Sequence, residues 1–350
     1  MNDFESLEDI ETLKKRNKGK SLLAIIGTIA LTILVFVACM SVGNYHVPLT
    51  DIFPAILGIG DPGTVDAIHG TRLPRILSAA LVGSSLSLAG LAMQSLFRNP
   101  MASPSVLGIS SGASFGASIA ISFGVGEAVF GSYTTPMMAF TMCFLTMALV
   151  YLIARSKYGI STVTLLLAGV AVGAFFNGLV SMLQYVADDD VLGSIVYWTM
   201  GSFNKVTWTS LGRSIPALFL GLFILSVLYR ELNMISAGED QAASMGVNVK
   251  SVRLWILLAT SLCVGGSVAI AGTIGFVGLI VPHIFRMLVG PNHKMLIPLC
   301  IFGGASFLMV MDTLAKVAFI MSFPVGIFTS LLGAPFFIYI LKKRKKEIWE

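Results

Sequence analysis

The sequence predicts an all-α fold, a polytopic membrane helix bundle of about ten transmembrane helices. Of its 350 residues, 55% are hydrophobic and only 12% are charged, whereas soluble domains carry about 25% charged residues. Apolar runs of about 17 to 25 residues recur along the chain, each long enough to cross a hydrocarbon core about 30 Å thick as a helix. We expect spans at 22–42, 73–97, 105–125, 134–154, 162–187, 211–229, 252–272, 276–289, 295–315 and 324–341.

The distribution of Lys and Arg predicts the orientation of these spans. If the spans alternate, 18 of the 23 basic residues fall on one side of the membrane, and cytoplasmic loops are the ones enriched in Lys and Arg. Residues 1–21 are long, mixed in charge and followed by a full-length span, which is not the pattern of a cleaved signal peptide. We therefore expect a cytoplasmic tail at 1–21, a transmembrane domain at 22–342 and a basic cytoplasmic tail at 343–350.

The region from Val252 to Val289 must cross the membrane twice although it is short. Its second crossing is interrupted by Gly272, Gly275, Gly278 and Pro282. Irregular backbone at membrane depth is tolerated where it lines a wet cavity or is buried in protein, so this stretch could form a pathway wall. The alternative is a short, tilted helix.

Two series of glycines at four-residue spacing predict close helix packing. Gly108, Gly112 and Gly116 form one series, and Gly169 and Gly173 form the other. Such ridges let helix backbones approach each other in lipid. Packing inside one chain is favoured over a dimer face.

The sequence shows no catalytic or metal-binding constellation. The four cysteines lie in apolar spans without C-x-x-C spacing, which predicts neither disulfides nor a metal site. None of the histidines has a partner at ligand or triad spacing, and we expect no cofactor; the histidines are His46, His69, His283 and His293. The net charge of +5 reflects the bias of membrane topology and does not indicate a nucleic-acid partner.

Two acidic features stand out. Asp312 is the only clear carboxylate within an expected span of the sequence. Ionisable residues inside the membrane are functional candidates by default. Lys316 follows one helical turn later, so a local ion pair is the favoured interpretation. The run Asp188–Asp190 is expected to close the fifth span as a solvated helix end, with cation attraction as the alternative.

Arg72 and Arg75 violate the orientation bias, because they flank Leu73-Pro74 at the expected outer entry of a span. Interfacial snorkelling explains either one. The pair would also present positive charge to an acidic partner.

A polar, Ala/Gly-rich segment, Ala237–Val247, interrupts the apolar spans on the cytoplasmic side. The chain contains no G-x-x-x-x-G-K-[ST] phosphate-binding motif. We therefore interpret the segment as a docking site for a soluble partner that supplies energy.

The fifth span carries polar residues at helical spacing, namely Asn177, Ser181, Gln184 and Tyr185. The spacing from Asn177 to Gln184 places polar groups on one helical face. This face is predicted to line a transport pathway, and a polar seam buried between helices is the alternative.

Five ordered motifs resemble the FecCD family, the membrane subunits of ABC importers for iron–siderophore complexes, haem and cobalamin. The match covers about residues 40 to 342, and the motifs are Thr71–Arg75, Phe97–Gly108, Gly238–Gly246, Gly275–His283 and Leu332–Phe336.

The resemblance implies ten helices per subunit in a cobalamin-importer-permease-like fold. It also implies a homodimer or close heterodimer, two cytoplasmic ABC ATPase subunits and an extracytoplasmic binding protein, in the plasma membrane of a bacterium. Arg72 and Arg75 would dock the binding protein. A coupling loop at about 237–250 would contact the ATPase through Gly238, Glu239, Asp240, Ala242, Ala243, Met245 and Gly246.

The chain departs from the family pattern at two places. Thr273 stands where the family usually has Pro, and Met321–Pro324 lacks the acidic residue that commonly precedes the Pro. The expected cargo is an iron chelate, with a ferric siderophore first, haem second and cobalamin third. The rival class, an ion-coupled secondary transporter, would not need the segment from Gly238 to Val247, and a membrane-embedded enzyme would need acid, base or metal groups that are missing.

Overall fold

Long helices account for most of the chain in the computed structural model, which describes residues 7–43, 47–156, 159–318 and 322–349. In chain order the α-helices are α1 (Leu7–Ser41), α2 (Leu49–Ile56), α3 (Pro62–Asp66), α4 (Leu73–Leu96), α5 (Ile109–Phe123), α6 (Glu127–Phe130), α7 (Thr134–Ala154), α8 (Thr162–Val186), α9 (Asp189–Thr199), α10 (Trp208–Val227), α11 (Tyr229–Ala237), α12 (Glu239–Ser244), α13 (Val249–Ala271), α14 (Val277–Val289), α15 (His293–Val317) and α16 (Val325–Trp349).

Shorter elements connect these helices. Ala67–Arg72 is a π-helical stretch that joins α3 to α4, and Pro104–Leu107 and Gly131–Tyr133 are 3₁₀ turns. Strands β1 (Arg155–Ser156) and β2 (Gly159–Ile160) pair antiparallel between α7 and α8, with Arg155 opposite Ile160.

The expectation of about ten membrane helices is confirmed. Among the described residues, 7 helical stretches are long and apolar enough to span a membrane. Three shorter apolar helices complete the set, namely Ile109–Phe123, Val277–Val289 and Val325–Tyr339. The protein is therefore a multi-pass membrane protein with an all-α fold.

Helix α4 lies at the centre of the bundle and packs against α15, α13, α14 and α10. Glycine permits these contacts: a Cβ added at Gly83 would lie 2.2 Å from the carbonyl oxygen of Gly304, and one added at Gly90 would lie 1.9 Å from that of Gly278. Close packing of backbones holds helices together in lipid, where apolar burial gives no driving force. The centre of the bundle is thus built by small residues.

Both glycine ridges pack inside the chain, as favoured from the sequence. A Cβ at Gly108 would lie 2.7 Å from the carbonyl oxygen of Gly169 in α8, and one at Gly116 would lie 2.5 Å from that of Met138 in α7. Gly108 adopts a φ of 72° just before α5, a left-handed conformation that glycine adopts without steric cost. The α4–α5 connection is therefore wedged against α8.

Several boundaries differ from the expectation. The second membrane helix continues without a break from Pro62 to Leu96, so Arg72 and Arg75 lie within a helical stretch rather than at its entry. Asp188 does not close the fifth span but caps the start of α9, accepting a hydrogen bond of 2.9 Å from the backbone N–H of Val191. Carboxylates at Asp189 and Asp190 suit this position because a helix N-terminus carries partial positive charge.

Candidate functional site

A cavity of about 750 Å³ opens in the bundle between the ends of several helices. Its polar lining consists of hydroxyl groups, and the rest is apolar or glycine; the lining residues are Ser105, Ser110, Thr199, Met200, Thr273, Ile274, Gly275, Gly326, Ile327, Ser330, Leu331, Ala334 and Pro335. No charged side chain is among these lining residues. The cavity therefore offers weak hydrogen bonding and apolar contact, without a fixed charge to hold an ion.

One wall of this cavity is the unwound segment that the sequence predicted. Helix α13 ends at Ala271 and α14 begins at Val277, with irregular backbone between them. Gly272 and Phe276 have φ values of 69° and 66°, and positive φ at phenylalanine is uncommon. The irregular backbone expected here is present and lines the cavity, and α14 is also short, as the alternative expected. That this stretch forms a pathway wall stays a prediction.

Backbone contacts fix the shape of that wall. A Cβ at Gly201 would lie 2.2 Å from the carbonyl oxygen of Thr273, and one at Gly326 would lie 2.1 Å from that of Met200. The N–H of Gly326 donates to the carbonyl oxygen of Gly201 over 3.2 Å. Three chain segments that are distant in sequence thus meet through their main chains.

Thr273, where the family resemblance leads us to expect Pro, takes part in this junction. Its hydroxyl donates to the carbonyl oxygen of Thr199, at the end of α9. Proline has no side-chain donor and could not form this bond. Thr273 therefore adds a contact between the α13–α14 connection and α9.

The polar face predicted on α8 is exposed, but it does not line this cavity. Asn177 and Ser181 are exposed, Gln184 is half-buried and Tyr185 is 90% exposed. The buried face of α8 instead presents apolar residues such as Leu183 to the bundle. Within the single chain this face is therefore not buried between helices, and its place in a pathway stays a prediction.

The segment 237–250, expected as a coupling loop, is mostly helical. Helix α11 turns into α12 at Gly238, whose φ is 150°, and α12 leads into α13 through Gly246, whose φ is 86°. Asn248 accepts a hydrogen bond of 3.1 Å from the N–H of Ser251 and so begins α13. Two short helices therefore form a platform at one end of the bundle, which we call the α12 end.

The α12 end presents one buried and one exposed face. Ala242 is fully buried, whereas Asp240, Ala243 and Gly246 are exposed and Met245 is 68% exposed. Glu239 is held by the guanidinium of Arg253 in α13. The exposed residues form a small surface that is accessible to a partner.

His293 anchors the platform to the centre of the bundle. It is the first residue of α15 rather than a loop residue, and it is 1% exposed. Its Nδ1 lies 2.8 Å from Oδ1 of Asn233 in α11, and its Nε2 lies 2.5 Å from Oγ of Ser95 in α4. These contacts give His293 a structural role that the sequence did not indicate.

At the opposite end of α4, Arg75 and Asp312 form an ion pair. Nε and Nη2 of Arg75 lie 2.7 and 2.9 Å from the two carboxylate oxygens of Asp312, and Nη1 lies 2.8 Å from Oδ1 of Asn204. The expectation that Asp312 pairs with Lys316 is therefore wrong, because the guanidinium offers a planar, two-point match that an ammonium cannot.

Arg72 is only 4% exposed and lies beside this pair. Its Nη1 donates to the carbonyl oxygens of Met40 and Ser41, at the end of α1. The last carbonyls of a helix lack partners within the helix, and a cation there also meets its partial negative charge. Arg72 therefore joins α1 to α4.

His69 contacts the carbonyl oxygens of Ala55 and Ile56 at 3.1 and 3.0 Å, and the four cysteines are buried and unpaired. His46 and Met321 lie outside the described residues. Within the described part of the chain, no group of three or more His, Cys, Asp or Glu residues could hold a metal ion.

Comparison with known proteins identifies the fold and the family. The model of the FecCD transport family matches residues 31–343. A solved structure of a metal-chelate type ABC transporter in an inward-facing conformation superposes with a TM-score of 0.81 at 34% identity, covering 92% of this chain and 99% of that one.

Relatives with assigned cargoes are also similar. The cobalamin import permease of Halobacterium salinarum is 40% identical, covering 85% of this chain and 79% of its own length. The hemin transport permease of Yersinia pestis is 38% identical, covering 79% of this chain and 83% of its own length.

Two further relatives widen the range of cargoes. The molybdate import permease of Haemophilus influenzae is 35% identical, over 92% of this chain and 96% of its own length. The iron(3+)-hydroxamate import permease of Bacillus subtilis is 34% identical, covering 94% of this chain and 99% of its own length. The chain belongs to the FecCD transport family and is an ABC importer permease.

Proposed function

We propose that this chain moves an iron chelate across the cytoplasmic membrane of a bacterium, with a ferric siderophore as the first choice and haem as the second. The observation that carries the proposal is the cavity of about 750 Å³, lined by hydroxyl and apolar groups without a charged side chain. A cobalamin importer is the alternative function.

The chemistry of the lining favours a chelate over a bare ion. Moving an ion into an apolar environment costs far more than moving a neutral polar group, unless charged or numerous polar partners surround it. A chelate buries the metal charge in an organic shell, which needs only apolar contact and a few hydroxyl groups. The cavity also has the volume of sites that hold drug-sized ligands, which are about 300–1,000 Å³.

The α12 end is proposed to be the cytoplasmic docking site for one of the two separate ABC ATPase subunits, which hydrolyse ATP. Met245, Ala243 and Gly246 are exposed there, and the sequence has no phosphate-binding motif of its own. Both termini are then cytoplasmic, consistent with the distribution of Lys and Arg.

The Arg75 end is proposed to face an extracytoplasmic binding protein that delivers the cargo. Arg75 retains 15% side-chain exposure beside Asp312, whereas Arg72 is buried. An acidic residue of the binding protein would therefore reach Arg75 more readily than Arg72.

The exposed polar face of α8 is proposed to line the pathway at the interface of a homodimer or close heterodimer. Asn177, Ser181 and Gln184 lie on a membrane-length helix, and Asn177 and Ser181 are exposed in the single chain. Polar groups facing lipid are costly and generally face protein or water instead. A second permease subunit against this face would remove them from lipid.

Uptake by the complete complex tests the cargo. Proteoliposomes holding this chain, its ATPase and its binding protein are given ferric hydroxamate and catecholate siderophores, haemin, cobalamin or molybdate, with ATP at the α12 end. We expect saturable, ATP-dependent uptake of a ferric siderophore at least tenfold faster than that of the others. Selective cobalamin uptake would establish the alternative, and selective molybdate uptake would overturn the argument from the uncharged lining.

A further inference from the structure

Arg253 contacts two separate parts of the chain at the α12 end. Its Nη2 donates to Oε1 of Glu239, the first residue of α12. Its Nη1 donates over 2.5 Å to the backbone carbonyl oxygen of Ile160, at the end of β2. One guanidinium thus joins α12, α13 and the β1–β2 hairpin.

The environment of Arg253 makes this arrangement specific. Arg253 is 3% exposed, and its Nε is buried without a hydrogen-bond partner among the described residues. Glu239 supplies the negative charge in the clamp, since the other partner is a neutral carbonyl group. A buried cation that loses its counter-charge is strongly disfavoured, so Glu239 and the Ile160 carbonyl together hold the guanidinium in this position.

The position of Ile160 connects the Arg253 contact to the start of α8. Ile160 is followed by Ser161, which occupies the N-cap position of α8 and whose carbonyl oxygen accepts a hydrogen bond from the N–H of Leu165. Helix α8 is 25 residues long, so a displacement at its first turn is carried along about 37 Å of rigid helix. The polar face of α8 lies toward its other end.

We propose that the clamp formed by Glu239, Arg253 and the Ile160 carbonyl makes α12 and the first turn of α8 move as one body. Displacement of α12 by the ATPase is transmitted through the clamp to the face of α8 that lines the pathway. Glu239 is on this account a positioning residue that acts through Arg253 and does not bind the ATPase. The inference rests on the proposed function, in which α12 contacts the ATPase.

The first test measures coupling in the reconstituted complex. E239Q removes the charge and keeps a hydrogen-bond acceptor, and R253K removes the second donor arm. E127Q is the control, because Glu127 is an exposed carboxylate on α6, away from the α12 end. We expect E239Q and R253K to retain the ATPase subunit and hydrolyse ATP, with at least a tenfold fall in cargo moved per ATP. E127Q should match the wild type.

A second measurement follows the motion without using transport. Cysteines that carry spin labels replace Gln241 in α12 and Val163 in α8, which are both exposed. Double electron–electron resonance measures the separation of the two labels with and without ATP. The four native cysteines are buried, so labelling favours the new sites. We expect one narrow distance in both states of the wild type, and a broadened or ATP-dependent distance in E239Q.

Three results would overturn the clamp. The first is a wild-type ratio of cargo moved to ATP hydrolysed in E239Q and R253K. The second is a loss of ATPase binding in E239Q, because Glu239 would then be a docking residue. The third is an unchanged distance between the labels in E239Q. If the wild-type complex itself moves no cargo with ATP, the proposed function fails instead. That result is distinguishable, since the clamp concerns the difference between the variants and the wild type.

Discussion

Arg75 and Asp312 form a two-point ion pair although they lie 237 positions apart in the sequence. The pair joins α4 to α15 at the end of the bundle opposite the platform, and Asn204 completes the contacts of the guanidinium. The side chain of Asp312 is 5% exposed and that of Arg75 is 15% exposed. The same arginine therefore joins two helices inside the chain and remains an accessible positive charge at this end.

The first prediction concerns the stability that this pair confers. D312N leaves the guanidinium without its counter-charge and should lower the free energy of unfolding by about 2 kcal/mol, because removing one partner of a buried charged pair leaves the other unpaired. K316Q is the control and should cost less than about 1 kcal/mol. Thermal unfolding of the purified protein in detergent measures the stability of both variants. Equal losses in D312N and K316Q would show that the Arg75–Asp312 ion pair contributes no more stability than Lys316 does.

The second prediction concerns capture of the binding protein. D312N frees the charge of Arg75 and should speed association, whereas the double variant R75Q/D312N should slow it at least tenfold and weaken its salt dependence, because exposed charges act mainly on association. K205Q, which alters an exposed lysine, is the matched control. The measurement is the association rate of the binding protein over a range of salt concentrations. If this rate depends on salt equally in all variants, Arg75 does not belong to the docking surface.

The third prediction concerns docking of the ATPase. M245D places a charge on the exposed surface of the α12 end and should abolish binding of the ATPase subunit without unfolding the spans. Gly246 is a less informative position, because its φ of 86° would strain any other residue by about 1–2 kcal/mol. V129D, which places the same charge at an exposed site on α6, is the control. Co-purification measures the binding, and retention of the ATPase by M245D would contradict the assignment.

The fourth prediction concerns the passage itself. S330W fills the cavity from α16, and S181W adds bulk on the polar face of α8; both residues are exposed in the single chain. Uptake should fall at least tenfold in each variant while the complex still assembles. F175W adds bulk on a different face of α8 and should transport normally. If S181W also transports normally, the polar face of α8 does not belong to the pathway.

The sequence predicted the spans because hydropathy alone determines which segments can cross a bilayer. It also predicted the irregular backbone before α14, since Gly272 and Gly275 leave a visible break in an apolar run. It missed α2, α3 and the π-helical stretch, which carry no membrane-length signal. Helix α3 and the π-helical stretch extend α4 beyond its expected start and place Arg72 within a continuous helical stretch.

The candidate site was less accessible to sequence reasoning. The partner of Asp312 is a residue of another helix, which helical spacing cannot reveal, and the nearer Lys316 was the natural wrong choice. The cavity depends on main-chain contacts among Gly201, Thr273 and Gly326, so no side-chain pattern marks it. The polar face of α8 was recognisable because its residues repeat at helical spacing.

The central claim is that ATP hydrolysis by a partner drives a chelate through this permease. The most direct test is the initial rate of ferric siderophore uptake into proteoliposomes containing the complete complex, compared between ATP and imposed proton or sodium gradients. We predict uptake with ATP that is lost with a hydrolysis-deficient ATPase and unaffected by ionophores. Uptake driven by an ion gradient in the absence of ATP would contradict the account.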